Sequence, residues 1–313
     1  MGVNVKLRKK TGMPHLKMPF RLTALFFLLA IINQPTQADQ QQITWLIIDS
    51  PPIYILNEHK APTSVNDLGS GTGDRGLREI IDRLPNYQHK FILANPLRVW
   101  AEFSAEKNVC TVPSNKTSQR EKYAYFAPVG LTNSVGIVVR KDRMDKLQLN
   151  FSSTSLIQLI SGRTDLRGYV ASGRSFGESV DNLLSTNGSN LIRQVVPADG
   201  NMLQMLDRNR MDYTIEYPQI LEYYNRKHLF YHEMQFIPID EAPQSIKVYV
   251  ACTRNKWGEQ VINDVARAIQ DAAGTSAFRQ ATLDWMPPDL VTRDKKKFEK
   301  FFDDLVKEID VIK

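Results

Sequence analysis

The sequence is poor in cysteine, in long apolar runs and in repeated or low-complexity tracts, and each shortage removes a class of protein. Cys110 and Cys252 are the only two cysteines in 313 residues. Two such residues make neither a disulfide-stapled small scaffold nor a Cys-rich zinc module. The apolar run Leu22–Ile32 spans 11 residues, about half of the roughly 20 that a membrane-spanning helix needs. Without an internal period of 20–50 residues, solenoids and propellers are excluded as well.

Acidic residues are also missing from the first 38 positions, which carry six basic ones: Lys6, Arg8, Lys9, Lys10, Lys17 and Arg21. A basic leader, a short apolar run, and small residues at Thr36 and Ala38 spell a secretory signal peptide cleaved after Ala38. Met13 and Met18 are alternative starts within the same leader. No cysteine follows the cleavage point to take a lipid, so the expected product is free outside the cytoplasm, with no membrane insertion. Its loss also changes the charge. The chain has 40 basic and 34 acidic residues, a net +6, and the six leader charges account for all of the excess. A mature chain with balanced charge gives no reason to expect a nucleic-acid partner, which needs a basic surface against phosphates. Residues 39–313 suffice for one large domain or two lobes with real cores. An oxidising compartment permits a Cys110–Cys252 disulfide; two buried free thiols are the alternative.

Short apolar runs alternate with helical patterns. Strands are expected at 43–48, 90–93, 109–112, 135–140, 169–171, 212–215 and 246–252. Helices are expected at 77–84, 96–107, 153–162, 176–186, 199–209, 217–226, 256–273 and 276–284. Such alternation predicts an α/β fold with largely parallel sheets. A final segment, 292–312, sets Phe298, Phe302, Leu305 and Ile309 on one helical face, which predicts a docking helix with a solvated charged side.

Four motifs carry candidate chemistry. Gly71-Thr-Gly-Asp-Arg-Gly76 matches a dinucleotide fingerprint in letters, but it stands over twenty residues after the first strand, where a pyrophosphate cannot meet strand and helix together. It reads as a flexible loop, and no cofactor is expected. Gly173-Arg-Ser-Phe-Gly177 has the form of a hydrolase nucleophile elbow, with Ser175 as nucleophile and His228 or His232 as base. The competing reading is a helix start whose N–H groups and hydroxyl hold an anion. His228 and His232 have helical spacing without the acid of a zinc protease motif, so they read as surface histidines and no metal is expected. Arg120 follows a strand and lies among Ser114, Asn115 and Thr117, a set suited to a carboxylate because guanidinium offers a two-pronged fork beside neutral donors.

Taken in order, these features resemble the type 2 periplasmic substrate-binding proteins, of the amino-acid-binding (solute-binding family 3) kind, as an uncharacterised branch. The residues that carry the resemblance are a first strand ending at Pro51-Pro52, Gly76 ahead of the first helix, and Thr117-x-x-Arg120 with Phe126-Ala-Pro128. To these are added the strand ending at Arg140-Lys141, Gly173-x-Ser175 at a helix start, Met211 to Glu216, the strand 246–252, and Trp285. The resemblance implies a two-lobed α/β fold with two hinge-crossing strands near 134–140 and 245–252. Lobe 1 would be 39–134 with 253–313, and lobe 2 would be 135–252. It implies Arg120 for an α-carboxylate, assisted by Asn115 and Thr117, and Ser175 meeting the same group from lobe 2. Glu216 would take an ammonium and Tyr54 would stack on the ligand side chain. It also puts the Cys110 strand beside the strand ending at Cys252, which implies a disulfide. Departures are Ile53 where an aromatic is usual, Glu106-Lys-Asn-Val109 before the third strand, and an extra Arg174.

The function so implied is non-enzymatic: a monomeric periplasmic protein that captures an amino-acid-like solute for a membrane permease. A sensory or partner-binding module of the same fold and a serine hydrolase centred on Ser175 are the alternatives.

Overall fold

The computed structural model describes residues 41–149, 152–186, 190–196, 202–308 and 311. The expected signal peptide, and Ile309 of the last helix, lie outside these. The first lobe opens with β1 (Gln42–Ile47), α1 (Thr72–Ile81), β2 (Gln88–Leu93), α2 (Pro96–Ser104), β3 (Val109–Ser114) and β4 (Ala124–Asn133). The second holds β5 (Gly136–Arg140), α3 (Met144–Leu147), α4 (Leu156–Gly162), β6 (Gly168–Ala171), α5 (Glu178–Thr186), β7 (Leu191–Gln194), α6 (Met202–Asp207), β8 (Tyr213–Glu216), α7 (Pro218–Arg226) and β9 (Met234–Pro238). The chain then returns through β10 (Ser245–Thr253) to α8 (Lys256–Ala273), α9 (Ser276–Ala281) and α10 (Pro288–Lys307).

Two five-stranded sheets result, in the orders β2-β1-β3-β10-β4 and β7-β6-β8-β5-β9. Their character follows from composition. Every residue of β5, Gly-Ile-Val-Val-Arg, is buried, as suits a β-branched run flanked by strands on both sides. In the first sheet β1 runs parallel to β2 and β3, while β10 is antiparallel to β3 and β4. The parallel expectation therefore covers only part of each sheet, because both lobes are crossed by a chain that leaves and comes back. The crossings are short: Ser134–Val135 outward, and 239–244 on return, where the Ser134 N–H donates to the Gln244 carbonyl at 3.2 Å.

Helices cover the first sheet. α8 turns Val261, Ile262, Val265, Ala266, Ile269 and Ala273 inward at helical spacing, and the Asn255 side chain caps its start through Gly258 N at 2.8 Å. α10 begins with Pro288 and buries Phe298, Phe302 and Leu305, the stripe expected from sequence. It also buries Asp294, which accepts from Asn133 Nδ2 at 2.6 Å and from Gln244 Nε2 at 3.4 Å. One acid thus holds the end of β4 and the approach to β10, so the last helix fastens both crossings. Cys110 and Cys252 face each other across β3 and β10 with Cα atoms 4.1 Å apart, and they form the disulfide.

One expectation is overturned. The Gly71–Gly76 segment is not a flexible loop, and Gly76 does not precede the first helix. Thr72 onward is already α1. Asp74 Oδ2 accepts from Ile55 N at 2.8 Å and Gly71 N at 3.0 Å, tying the segment to the Pro52–Ile55 corner. Gly71 packs so closely there that a Cβ would lie 2.3 Å from the Ile53 carbonyl oxygen. Glycine serves close approach at this position.

Candidate functional site

Between the two sheets, at the carboxyl ends of β1, β3, β6 and β8, lies a cleft of about 240 Å³. Strand ends are where open α/β sheets bind ligands, because the loops leaving them converge there. The cleft is lined from the first lobe by Tyr54, Gly76, Trp100, Asn115 and Arg120 among others, and from the second by Gly173, Arg174, Ser175 and Tyr217.

Arg120 opens a short 3₁₀ turn whose start is held by Thr117, the hydroxyl of which accepts from Arg120 N at 3.3 Å. Its Nη1 donates to the Asn115 carbonyl at 3.0 Å and its Nη2 to the Gly173 carbonyl at 3.3 Å. Its Cζ lies 4.2 Å from the centre of the Trp100 ring, a cation–π contact. Burial pushes its pKa down to about 10, against the opposing pull of Asp181 and Tyr217. The guanidinium is therefore charged at neutral pH, yet among the described residues no carboxylate lies within ion-pairing distance of it.

The second lobe solves the same problem differently. Arg174 Nη1 donates to Glu216 Oε2 at 2.7 Å, and Nη2 donates to Oε1, a two-pronged pair. Glu216 is further held by Tyr217 N at 2.7 Å. Burial works against the charge of Arg174, but the Glu216 carboxylate outweighs it and keeps the pKa above the ordinary value. Bonds cross the cleft as well: Asn115 Nδ2 donates to the Ser175 carbonyl at 2.9 Å and to the Tyr217 hydroxyl at 2.7 Å. Burial raises the Tyr217 phenol to about 12, so this hydroxyl stays neutral. The Ser118 hydroxyl donates to Glu178 at the head of α5.

Of the six ligand residues expected from sequence, Arg120, Asn115, Ser175 and Tyr54 reach the cleft wall, whereas Thr117 and Glu216 do not. Thr117 stands behind Arg120 as the cap of its turn. Glu216 stands behind Arg174, which has taken its carboxylate. Tyr54 is 2 % exposed, with its hydroxyl donating to the Val112 carbonyl at 2.6 Å, so only its ring serves the wall. Ser175 sits between Gly173 and Gly177, both at positive φ (76° and 96°). Its hydroxyl donates to Asp181, which also accepts from Phe176 N at 2.9 Å.

A serine nucleophile needs an imidazole on its proton, and none bonds to Ser175 among the described residues. His232 instead bonds Asp207 at 3.0 Å, and His228 is exposed on a turn at φ 52°. The two histidines share no helix. Sequence reasoning missed Trp100. Its signal was that Val99 and Phe103 form the buried stripe of α2, which leaves the neighbouring indole to face elsewhere.

No family model and no curated protein matches the sequence. Solved structures do. A putative L-cystine ABC transporter protein from Listeria monocytogenes superposes with a TM-score of 0.59 at 16% identity, covering 80% of this chain and 96% of that one. An amino acid ABC transporter substrate-binding protein of Streptococcus pneumoniae, bound to L-arginine, gives 0.57 at 15%, covering 79% and 94%. The ligand-binding core of GluR0 from Nostoc punctiforme, in complex with L-glutamate, gives 0.55 at 12%, covering 79% and 100%. The chain therefore has the two-lobed fold of the periplasmic binding proteins; the two crossings expected as strands are short connections beside β5 and β10.

Proposed function

We propose that the protein captures a small solute bearing a carboxylate between its lobes, outside the cytoplasm, and delivers it to a membrane permease. The observation that carries this reading is Arg120. It is a half-buried, charged guanidinium at an interlobe cleft, held by two carbonyls and an indole, and among the described residues no carboxylate lies within ion-pairing distance of it. Two of its five N–H donors are used in those bonds, leaving a fork for an incoming anion. Asn115 and Ser175 flank the fork, and the ring of Tyr54 walls the cleft. The two lobes, joined by the crossings at Ser134–Val135 and 239–244, move about them as the ligand enters. The signal peptide and the transport roles named for the Listeria and Streptococcus proteins support the location and the permease. The protein acts as a monomer and carries out no chemistry on its ligand.

The test is a melting-temperature screen against small carboxylates, since a ligand that binds only the folded state stabilises it by RT ln(1 + [L]/Kd). Several degrees of stabilisation in the wild type, absent in Arg120→Ala, is the expected result. No stabilisation by any carboxylate would sink the proposal. A second reading is a sensory module with the same capture step. Co-purification with a receptor-type membrane protein instead of a permease would select it.

A further inference from the structure

We infer that the ligand is a carboxylate with an apolar body and no α-ammonium group, so that the site selects against free amino acids. This rests on the capture of a carboxylate at Arg120 and narrows its substrate class. Two arginines line the cleft, and among the described residues no aspartate or glutamate does. An ammonium group needs an anionic partner when it leaves water. Among the acids that adjoin lining residues along the chain, Asp49, Asp74 and Glu216 are each under 5 % exposed, and Glu121 is paired with Lys116 at 2.8 Å. Glu216 is shielded behind Arg174, which takes both of its oxygens, one of them shared with Tyr217 N. Asp181 holds the Ser175 hydroxyl with one oxygen and Phe176 N with the other. An α-ammonium placed beside a carboxylate on Arg120 would meet guanidinium charge and no compensating acid.

The rest of the wall states what the ligand carries in place of the ammonium. Away from Arg120 the wall is mainly apolar, with Ile53, Val129, Val248, Phe278 and Met286, and its polar side chains there, such as Thr72, Gln219 and Thr282, are neutral. Gly76 of α1 belongs to the same wall, and a Cβ built on it would meet nothing within 4 Å. Glycine is a poor choice for a helix interior, and neither a tight contact nor a positive φ demands it here. Its missing side chain widens the apolar part of the cleft. Gly76 is therefore a specificity-determining position.

The experiment compares matched pairs by calorimetry on the purified protein: 3-phenylpropanoate against L-phenylalanine, and 4-methylpentanoate against L-leucine. Each deaminated acid should bind at least tenfold more tightly than its amino acid, and Arg120→Ala should lose both members of each pair. Equal or tighter binding of the amino acids overturns the inference and leaves carboxylate capture standing. No binding of any of the four, in the wild type as in Arg120→Ala, removes the underlying reading instead. The second variant is Gly76→Leu, which replaces a helix-weakening residue and so keeps the fold, as its melting curve will check. It should weaken 3-phenylpropanoate at least tenfold and leave propanoate, followed at millimolar concentration, within twofold. Unchanged affinity for 3-phenylpropanoate in Gly76→Leu overturns the apolar assignment.

Discussion

Arg120 and Arg174 face one cleft from opposite lobes, both half-buried, yet their partners differ in kind. Arg174 has a carboxylate, Glu216, in two-pronged contact. Arg120 has two carbonyls and an indole face, and burial drives its pKa down further than the charges of Asp181 and Tyr217 can offset. A buried charge that the fold has already paired is part of the wall. A buried charge that the fold holds in place without pairing is complete only when something else supplies the anion. The difference separates structural from binding arginines without any ligand in view.

The largest effect should come from breaking the paired one. In Arg174→Ala the Glu216 side chain, only 5% exposed, is left as an uncompensated buried anion. Removing one partner of a buried pair costs about 3–5 kcal/mol, and urea unfolding should show a loss of that size. Arg174→Met with Glu216→Leu should recover most of it, since exchanging a whole buried pair for apolar groups is nearly neutral. A loss under about 1 kcal/mol in the single variant would mean that water reaches Glu216 and that the pair is ordinary surface chemistry.

Arg120→Ala should behave in the opposite way. It deletes a charge with no acidic partner, so stability without ligand should change by less than about 1 kcal/mol. Carboxylate affinity should fall about 100-fold, as loss of one or two charge-assisted bonds at 1.5–3 kcal/mol each implies. Calorimetry and unfolding on the same preparation separate the two quantities. If Arg120→Ala unfolds as readily as Arg174→Ala, the two arginines are both structural.

This contrast was only half legible in the sequence. Arg120 stood out because Asn115 and Thr117 are close to it along the chain, and local spacing survives folding. The Arg174–Glu216 pair joins residues 42 positions apart, across the loop after β6 and the end of β8, and no periodicity reports such a meeting. The strands divide in the same way. β1, β5 and β10 are apolar or β-branched runs and could be read directly. β4 was missed because Pro128 interrupts it; there the register with β10 slips between Val248 and Tyr249, and a bulge is where a strand tolerates proline. β7 and β9 were missed because they are edge strands, Leu-Ile-Arg-Gln and Met-Gln-Phe-Ile-Pro, too short and too mixed in polarity to show an alternation. An edge strand takes its identity from its neighbour more than from its own letters.

The smallest expected effect concerns a third way to hold a buried charge. Asp74 has neither an acid–base partner in contact nor an exposed face. Its Oδ2 accepts backbone N–H groups, while its Oδ1 is buried without a hydrogen bond. Burial raises its pKa above the ordinary 3.8, and the bonds from Ile55, Gly69 and Gly71, together with the charge of Arg78, only partly oppose that. The unfolded chain thus releases this proton at a lower pH than the folded one. Within that window the folded state binds more protons, so stability falls as pH rises through it. Asp74→Asn keeps an acceptor for the amides and has no proton to release. Its stability should lie within about 1 kcal/mol of wild type near pH 4, as expected when a bond to neutral groups is conserved. From there the difference should grow in favour of the variant toward neutral pH, followed by melting curves at matched ionic strength. A difference that grows in favour of the wild type would show that backbone amides alone hold Asp74 as a stable anion. Arg120, held by carbonyls, would then need no anion from outside, and the contrast with Arg174 would lose its meaning.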